Sequence, residues 1–387
     1  MDMKPIIGLL LATTLVVEAL ALEASQETGV SLSNLVEIVD LNAKKVLRQP
    51  NINAVSVAIS YQGLNHTAHF GELTKGENDT PNNHTLYEIG SGSKTFLGTL
   101  LADAVLANKL ALDDEASAYM GDNFAGFGVD KSPVTIRQLL THTAGLPNML
   151  PADANDLLAN FTDKRTPERL NNVINAYSDK QFLVDLQALA LTLPLGQTHS
   201  YSSAGTEVLA FILEQIYGQD YEVILDGLTD KLNMSDTTIS LSKTQQSRLA
   251  IGYHLDNLTP APAMSTILNG AAGNMKSTTA DMLNYLKFQL DKSDPIVIES
   301  HKVLFKASSS DRRTAYKWNL SDEGFFGTAL HHHGGVSRAQ NYILIAPEKD
   351  FGLFIITNQS GTSTPGALLE GLNGVMVDIE RHYTQQP

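Results

Sequence analysis

Apolar residues alternate with polar ones near both ends of the chain, and this pattern predicts β-strands there. The N-terminal pair consists of Val55–Tyr61 and a hairpin partner, His66–Phe70. Near the other end, the same pattern predicts strands at Ala329–His333, Gln340–Ala346 and Gly352–Thr357. Both ends of the chain are therefore expected to contribute to a sheet.

Much of the remaining chain has apolar residues at the three- and four-residue spacing of an amphipathic helix. The helices predicted in this way are Leu32–Arg48, Phe96–Ala107, Val134–Thr141, Lys180–Leu191, Thr206–Tyr217, Thr278–Gln289 and Gly366–Tyr383. Strand-rich ends around a helix-rich middle predict an α/β (α+β) fold, in which an antiparallel sheet flanked by helices carries an inserted, mostly helical lobe. We expect the α/β lobe at about 30–110 and 265–387, the helical lobe at about 111–264, and the functional site in the cleft between them.

Residues 1–21 have the pattern of a cleavable signal peptide. Lys4 precedes an apolar run, Ile6–Val17, and Ala19-Leu20-Ala21 gives the small-x-small pattern of a cleavage site. The run is shorter than the roughly 20 apolar residues that span a membrane. The sequence therefore predicts an exported protein, periplasmic or secreted, without a stable membrane anchor. A buried N-terminal helix is the alternative, because Asp2 weakens the positive charge before the run.

Composition excludes several classes of function. The net charge of −15 and the pI near 5.1 argue against a nucleic-acid partner, which would need a basic face. The chain contains no cysteine, which excludes a thiol nucleophile, a cysteine-ligated zinc and disulfide bonds. We expect a small-molecule or peptide substrate and no cofactor.

Ser91 and Lys94 form a Ser-x-x-Lys pair. If a helix begins at Ser91, the two side chains lie one turn apart on the same face. A hydroxyl becomes an effective nucleophile when a base takes its proton, and a lysine shielded from water can be that base. N–H groups at the start of a helix would also stabilise an oxyanion. The alternative interpretation is that Ser91 only caps the helix.

Ordinary residue frequencies also produce such pairs by chance, and Ser240-Leu-Ser-Lys243 is a second copy with no apolar helix behind it. The Ser91 copy differs because Gly90 and Gly92 flank the serine and a strongly apolar helix follows. A phosphate-binding loop would need glycine where Glu88 stands. The chain contains no Gly-x-Ser-x-Gly motif, which argues against an α/β-hydrolase.

Two further segments carry candidate chemistry. Tyr201-Ser-Ser203 precedes an apolar helix. A tyrosine beside a lysine can transfer protons, because the lysine lowers the pKa of the phenol. The alternative is that Tyr201 only caps the core. His331-His-His-Gly-Gly335 leads into a predicted strand, where His332 faces opposite to its two histidine neighbours. The N–H of Gly335 is a candidate oxyanion donor. A metal site at His331 and His333 is a weaker interpretation, because the sequence offers no evident third ligand.

These segments together resemble the penicillin-recognising serine hydrolases, in particular the branch of class C β-lactamases, D-Ala-D-Ala carboxypeptidases and related esterases. The resemblance covers most of the chain in the family's order. Tyr201-Ser-Ser203 corresponds to the family's Tyr-x-Asn motif and His332-His-Gly-Gly335 to its Lys/His-Thr-Gly motif. The other matching segments are Leu86–Phe96 with the nucleophile, Leu110–Asp114, Ile136–Pro147, Lys231–Thr237 and Gly270–Asp281.

The resemblance implies a β-lactamase/transpeptidase-like fold and one catalytic domain over residues 22–387. Ser91 would attack a carbonyl group to form an acyl-enzyme, while Lys94 and Tyr201 share the base and acid roles. Backbone N–H groups of Ser91 and Gly335 would form the oxyanion hole. The residues implied to contact substrate are Ser203, His332, His333 and Gly334.

Two departures from the family bear on the substrate. Ser203 stands where the family usually has asparagine, so an amide that holds an acylamino side chain is missing. His332 stands where class C β-lactamases have lysine, so less fixed charge faces a substrate carboxylate, although a protonated histidine could still hold one. The leading hypothesis is hydrolysis of cell-wall-type D-amino-acid peptides. An esterase for small acyl esters and a non-catalytic penicillin- or peptide-binding sensor are the alternatives.

Overall fold

The computed structural model describes residues 30–124, 126–129, 132–192 and 194–384. Its α-helices are α1 (Leu32–Leu47), α2 (Ser93–Leu106), α3 (Ile136–Leu140), α4 (Ala152–Ala159), α5 (Thr166–Asn175), α6 (Asp179–Ala188), α7 (Ala204–Tyr217), α8 (Tyr221–Lys231), α9 (Lys243–Gln246), α10 (Thr279–Gln289), α11 (Pro295–Ser300) and α12 (Thr364–Thr384). Its strands are β1 (Ala54–Tyr61), β2 (Leu64–Gly71), β3 (Tyr87–Glu88), β4 (Gly128–Val129), β5 (Ser132–Pro133), β6 (Tyr253–His254), β7 (Lys276–Ser277), β8 (Phe305–Lys306), β9 (Arg313–Thr314), β10 (Asn319–Asp322), β11 (Thr328–Val336), β12 (Ala339–Ala346), β13 (Phe351–Thr357) and β14 (Gln359–Ser360).

The main sheet has eight antiparallel strands in the order β2-β1-β13-β12-β11-β10-β9-β8. Its first hairpin, β1 and β2, comes from the N-terminal part of the chain, and its other strands come from the C-terminal part. The two parts meet where β1 pairs with β13, with Val55 opposite Thr357. The predicted antiparallel sheet built from both ends of the chain is therefore confirmed.

Helices cover both faces of this sheet, because alternate side chains of the central strands point in opposite directions. In β13, Leu353 and Ile355 join the core beneath α1 and α12, whereas Phe354 and Ile356 join the core beneath α2 and α10. All residues of β1 and β13 are buried. Two apolar cores thus sandwich the sheet, and the second extends into the helices that follow α2.

The chain between the two sheet-forming parts is mostly helical, as predicted, but several boundaries differ. The helix predicted at Val134–Thr141 is the single turn α3, whose start is fixed by a capping box between Thr135 and Gln138. The pattern did not predict α8, whose buried residues Leu225 and Leu228 pack against α2 and α7. Strand β11 runs three residues further than predicted, so the whole histidine–glycine segment is extended.

The expected signal peptide, residues 1–21, lies outside the described residues. Within the described ranges, none of the helices is both long and apolar enough to cross a membrane. The division into two lobes remains a prediction.

Candidate active site

Ser91 lies in a tight turn at the start of α2. The turn Gly90–Gly92 is a 3-10 helix and α2 begins at Ser93, three residues before the predicted start at Phe96, so Ser91 lies in the 3-10 turn and not in the α-helix itself. Gly90 has a φ of +53°, and a Cβ there would lie 2.7 Å from the backbone nitrogen of Gly335. Only glycine allows this close approach between the turn and β11. The turn therefore presses the backbone of Ser91 against the strand.

Three side chains from different parts of the chain meet at the Ser91 hydroxyl. Lys94 Nζ lies 3.1 Å from Ser91 Oγ, and Tyr201 OH lies 2.7 Å from the same oxygen. Lys94 is completely buried, and its ammonium also donates to the carbonyl oxygen of Ala272. Tyr201, immediately before α7, is 36% exposed and forms the open side of the group. The arrangement places two proton-transfer groups on one potential nucleophile.

Glu207 supports this group from behind, and the sequence analysis did not single it out. The side chain is 2% exposed, and its Oε1 accepts a hydrogen bond of 2.8 Å from the N–H of Ala272, whose carbonyl binds Lys94. Burial raises the pKa of Glu207 to about 8, so the carboxyl is protonated at neutral pH. A lone acidic residue on the apolar face of α7 was the available signal. Glu207 therefore fixes the acceptor of Lys94 without placing a full negative charge beside it.

His142 and Lys317 form a second buried layer behind Tyr201. The His142 ring lies 4.7 Å from the Tyr201 ring, and its Nδ1 accepts the N–H of Ser202 at 3.1 Å. Lys317 is 1% exposed and donates to the carbonyl of Leu139 at 2.7 Å. Burial lowers the pKa of both groups well below their ordinary values, and the nearby Lys94 lowers them further. His142 thus packs against the Tyr201 ring, while Lys317 is held by the backbone of α3.

Strand β11 supplies the second backbone segment of the site. Its neighbour β10 pairs with it only as far as His331, and beyond that residue β11 lies against the Gly90–Gly92 turn. A Cβ at Gly334 would lie 2.2 Å from the carbonyl oxygen of Ile89, so this glycine permits the contact. Gly335 follows and lines the same cavity as Ser91.

The three histidines of β11 alternate in burial as expected for a strand, with His332 buried and its two neighbours half-buried. His332 is 3% exposed, and burial, reinforced by Lys94, lowers its pKa to about 3. Above that pH the ring is neutral and offers no positive charge, so the binding of a substrate carboxylate by a protonated His332 stays a prediction. His333 packs 4.8 Å from the Tyr342 ring, and neither histidine lines the cavity at Ser91. Among the described residues, no group of three histidine or carboxylate side chains lies close enough together to bind a metal ion. A metal site at His331 and His333 therefore still lacks a third ligand.

A cavity of about 160 Å³ opens beside Ser91 and Tyr201. Ser203 also lines it, and its hydroxyl donates to Asn148 Oδ1 at 3.2 Å. The apolar side chains around the cavity come from α4, α5, the end of β11 and three loops; they are Met149, Leu158, Phe161, Leu170, Met264, Ile267 and Val336. Its walls are thus mainly hydrophobic, with the polar groups gathered near Ser91.

The second Ser-x-x-Lys copy has no such surroundings. Ser240 Oγ donates to Glu222 Oε2 at 2.7 Å on the exposed surface, and Lys243 begins the four-residue helix α9. The same spacing therefore gives a local surface contact in one place and a buried cluster in the other.

A serine hydroxyl bonded to a buried amine and a phenol, beside a cavity, is the arrangement of a serine hydrolase. The family model "Beta-lactamase" matches residues 39–373, and the chain belongs to the beta-lactamase family. This result confirms the family resemblance found in the sequence.

Relatives and solved structures agree with this assignment. "Protein flp" of Staphylococcus aureus (strain N315) is 25% identical over 87% of this chain, which spans 66% of that relative's length. A "Beta-lactamase" of Providencia stuartii is 30% identical over 65% of this chain and 59% of its own. The crystal structure of a beta-lactamase/D-alanine carboxypeptidase from Yersinia pestis superposes with a TM-score of 0.75 at 21% identity, covering 89% of this chain and 98% of that one. A beta-lactamase from Sulfitobacter sp. EE-36 gives 0.76 at 19% identity, over 91% and 99%. These two likenesses confirm the fold.

Proposed function

We propose that this protein hydrolyses amide bonds of the β-lactam or D-alanyl-peptide type through an acyl-enzyme on Ser91. The observation that carries the proposal is the convergence of Lys94 Nζ and Tyr201 OH on Ser91 Oγ, at 3.1 and 2.7 Å. The names of the relatives, beta-lactamase and D-alanine carboxypeptidase, support the choice of substrate class. A module that only binds ligands would have no use for an activated hydroxyl.

In the proposed reaction, Ser91 Oγ attacks the carbonyl carbon while its proton passes to Lys94 or Tyr201 in its deprotonated form. The tetrahedral oxyanion accepts hydrogen bonds from the backbone N–H groups of Ser91 and Gly335. The proton then moves to the leaving nitrogen as the amide bond breaks. Water attacks the ester of acyl-Ser91 in the second half of the reaction and restores the free hydroxyl. Ala272 and Glu207 hold Lys94 in position throughout.

A second candidate is an esterase for uncharged acyl esters, and one observation favours it. His332 is neutral above about pH 3, and among the described residues that line the cavity none carries a charge. A substrate carboxylate would therefore find no fixed cation there, whereas an ester with an apolar acyl group needs none.

The deciding experiment compares a D-Ala-D-Ala peptide, a cephalosporin and a short-chain nitrophenyl ester, together with labelling by a fluorescent penicillin. We expect mass spectrometry to locate the label on Ser91, and Ser91→Ala to abolish both labelling and turnover. Ser240→Ala is the matched control, because it changes the serine of the surface Ser-x-x-Lys copy. Full turnover by Ser91→Ala would refute the mechanism. Turnover of the ester alone would favour the esterase.

We also propose that the protein is exported and that residues 1–21 are removed. The support is the sequence pattern of an apolar run followed by Ala19-Leu20-Ala21. Expression in a bacterial host with N-terminal mass spectrometry should give a mature chain that starts at Leu22. A protein that keeps Met1 and stays in the cytoplasm would contradict this proposal.

A further inference from the structure

Arg338 is a charged residue at the tip of a hairpin, yet it is buried. Ser337 and Arg338 form the two-residue connection between β11 and β12, a position that is normally exposed to water. The Arg338 side chain is only 10% exposed, and its guanidinium donates to the carbonyl oxygen of Ala250. A Cβ at Gly252 would lie 2.2 Å from the carbonyl oxygen of Arg338, so residues 250–252 pack closely over the tip. The tip of this hairpin is therefore enclosed by the protein.

The ionic partner of Arg338 is Glu88, which stands two residues before Gly90 in the segment that leads into the nucleophile turn. Arg338 Nε lies 3.2 Å from Glu88 Oε2, and the Glu88 side chain is 3% exposed. The other carboxylate oxygen, Oε1, accepts the N–H of Met264 at 2.9 Å. Burial raises the pKa of Glu88, while the cations Arg338 and Lys276 act in the opposite direction. Removing one partner of a buried pair leaves the other without compensation, so this contact is costly to lose.

The ion pair is one of three successive ties between the nucleophile segment and the β11–β12 hairpin. The residue after Glu88 is Ile89, whose carbonyl oxygen accepts a hydrogen bond of 2.9 Å from Asn341 Nδ2 on β12. Gly90 follows and contacts the backbone of Gly335. Positions 88, 89 and 90 are thus each tied to the hairpin immediately before the nucleophile. The separation between the two backbone segments of the site depends on these ties.

We infer that Arg338 is a positioning residue for the proposed oxyanion hole: by binding Glu88, it holds the Gly335 N–H at the distance from the Ser91 N–H that a tetrahedral oxyanion requires. In this described segment Gly335, Val336 and Ser337 line the cavity and Arg338 does not, so Arg338 acts through the backbone. Groups that stabilise a transition state must be held within about 0.5 Å of their productive geometry. The inference rests on the proposed function, because it concerns the oxyanion of that reaction.

The test compares Arg338→Met with wild type in kcat/KM for a nitrophenyl ester and in the Ki of an arylboronic acid, whose tetrahedral adduct with Ser91 imitates the oxyanion. Protein concentrations are corrected for the folded fraction, followed by the fluorescence of the buried Trp318. We expect kcat/KM to fall about 10- to 100-fold, less than the roughly 10²–10³-fold lost when an oxyanion donor is removed altogether. The Ki should rise by a similar factor, because both quantities report binding of the tetrahedral state.

Three further variants separate positioning from a general loss of stability. Arg338→Lys keeps a cation for Glu88 and should recover most of both quantities. Glu88→Gln combined with Arg338→Met removes both charges and keeps an acceptor for the Met264 N–H. This double variant should be more stable than Arg338→Met alone, while its kcat/KM stays low. The control is Arg381→Met, which removes the cation of an exposed ion pair on α12 and should change neither quantity.

The outcomes distinguish this inference from the proposed function. An unchanged kcat/KM and Ki in Arg338→Met would overturn the inference, as would a fall in kcat/KM without a rise in Ki. Full recovery of kcat/KM in the double variant would also overturn it, because the arginine would then contribute stability alone. In each of these cases the proposed hydrolysis stands. Absence of turnover of every ester by wild type, with no label on Ser91, would remove the proposed function and this inference with it.

Discussion

The buried carboxyl of Glu207 makes the stability of this protein depend on pH in a defined direction. Its pKa is about 8 in the folded protein and near the ordinary 4.5 in the unfolded chain, because unfolding returns the group to water. Between these values the unfolded state has lost the proton that the folded state keeps. The contribution of Glu207 to the free energy of unfolding is therefore fully present below pH 4.5 and is lost as the pH rises to 8.

The magnitude follows from the separation of the two pKa values. At about 1.4 kcal/mol for each pH unit, the full loss is on the order of 5 kcal/mol, with little discount for solvent because the side chain is 2% exposed. Glu207→Gln keeps the acceptor for the Ala272 N–H and cannot ionise. We expect this variant to match wild type near pH 4.5 and to be more stable by several kcal/mol at pH 8.

Urea unfolding at a series of pH values measures this difference, followed by the fluorescence of Trp318, the one tryptophan of the chain and fully buried. Glu77→Gln, which removes a carboxylate from an exposed loop, controls for the change in net charge. Parallel curves of unfolding free energy against pH for wild type and Glu207→Gln would refute the assignment of a protonated Glu207.

Three further predictions follow from contacts at and near the site. Tyr201→Phe removes the hydroxyl that bonds Ser91 but keeps the ring beside His142. We therefore expect kcat in a steady-state assay to fall by about 10²–10⁴ without loss of folding, and a fall of less than tenfold would contradict a proton-transfer role. Because His332 stays neutral above about pH 3, the ratio of kcat/KM for a substrate with a carboxylate to kcat/KM for its matched uncharged analogue should be constant from pH 5 to 8. A rise of this ratio toward pH 5 would show that His332 becomes charged. In thermal melts, Gly98→Ala should destabilise the fold by roughly 1–3 kcal/mol, since its Cβ would lie 2.1 Å from the carbonyl oxygen of Tyr316. The control Gly227→Ala, where nothing lies within 4 Å of the added Cβ, should be neutral or stabilising.

The sequence predicted the sheet and its long helices well, because their apolar faces are regular. The strand at Val55–Tyr61 and the helix at Thr278–Gln289 each differ from the structure by a single residue. The nucleophile turn was harder, since its shape depends on the contact of Gly90 with Gly335, far along the chain. A local pattern carries no information about such a contact.

The chemical state of the site was the least predictable part. Nothing in the sequence around His332 shows that Lys94 and a buried environment keep the ring neutral. The role of Glu207 likewise depends on the backbone group that it reaches, the N–H of Ala272. Motif spacing identified the residue types of the site, whereas its electrostatics required the fold.

The pairing of β1 with β13 also governs when the site can form during synthesis. Val55 and Thr357 are neighbours in the sheet, but the ribosome must make the whole intervening chain before they can meet. Closing so long a loop is entropically costly, and contacts of this kind slow folding. Ser91 therefore leaves the ribosome long before Gly335 can reach it, and a nascent chain that stops short of β11 carries Ser91 without the strand that it packs against. The order of the strands thus delays assembly of the proposed site until the protein is nearly complete.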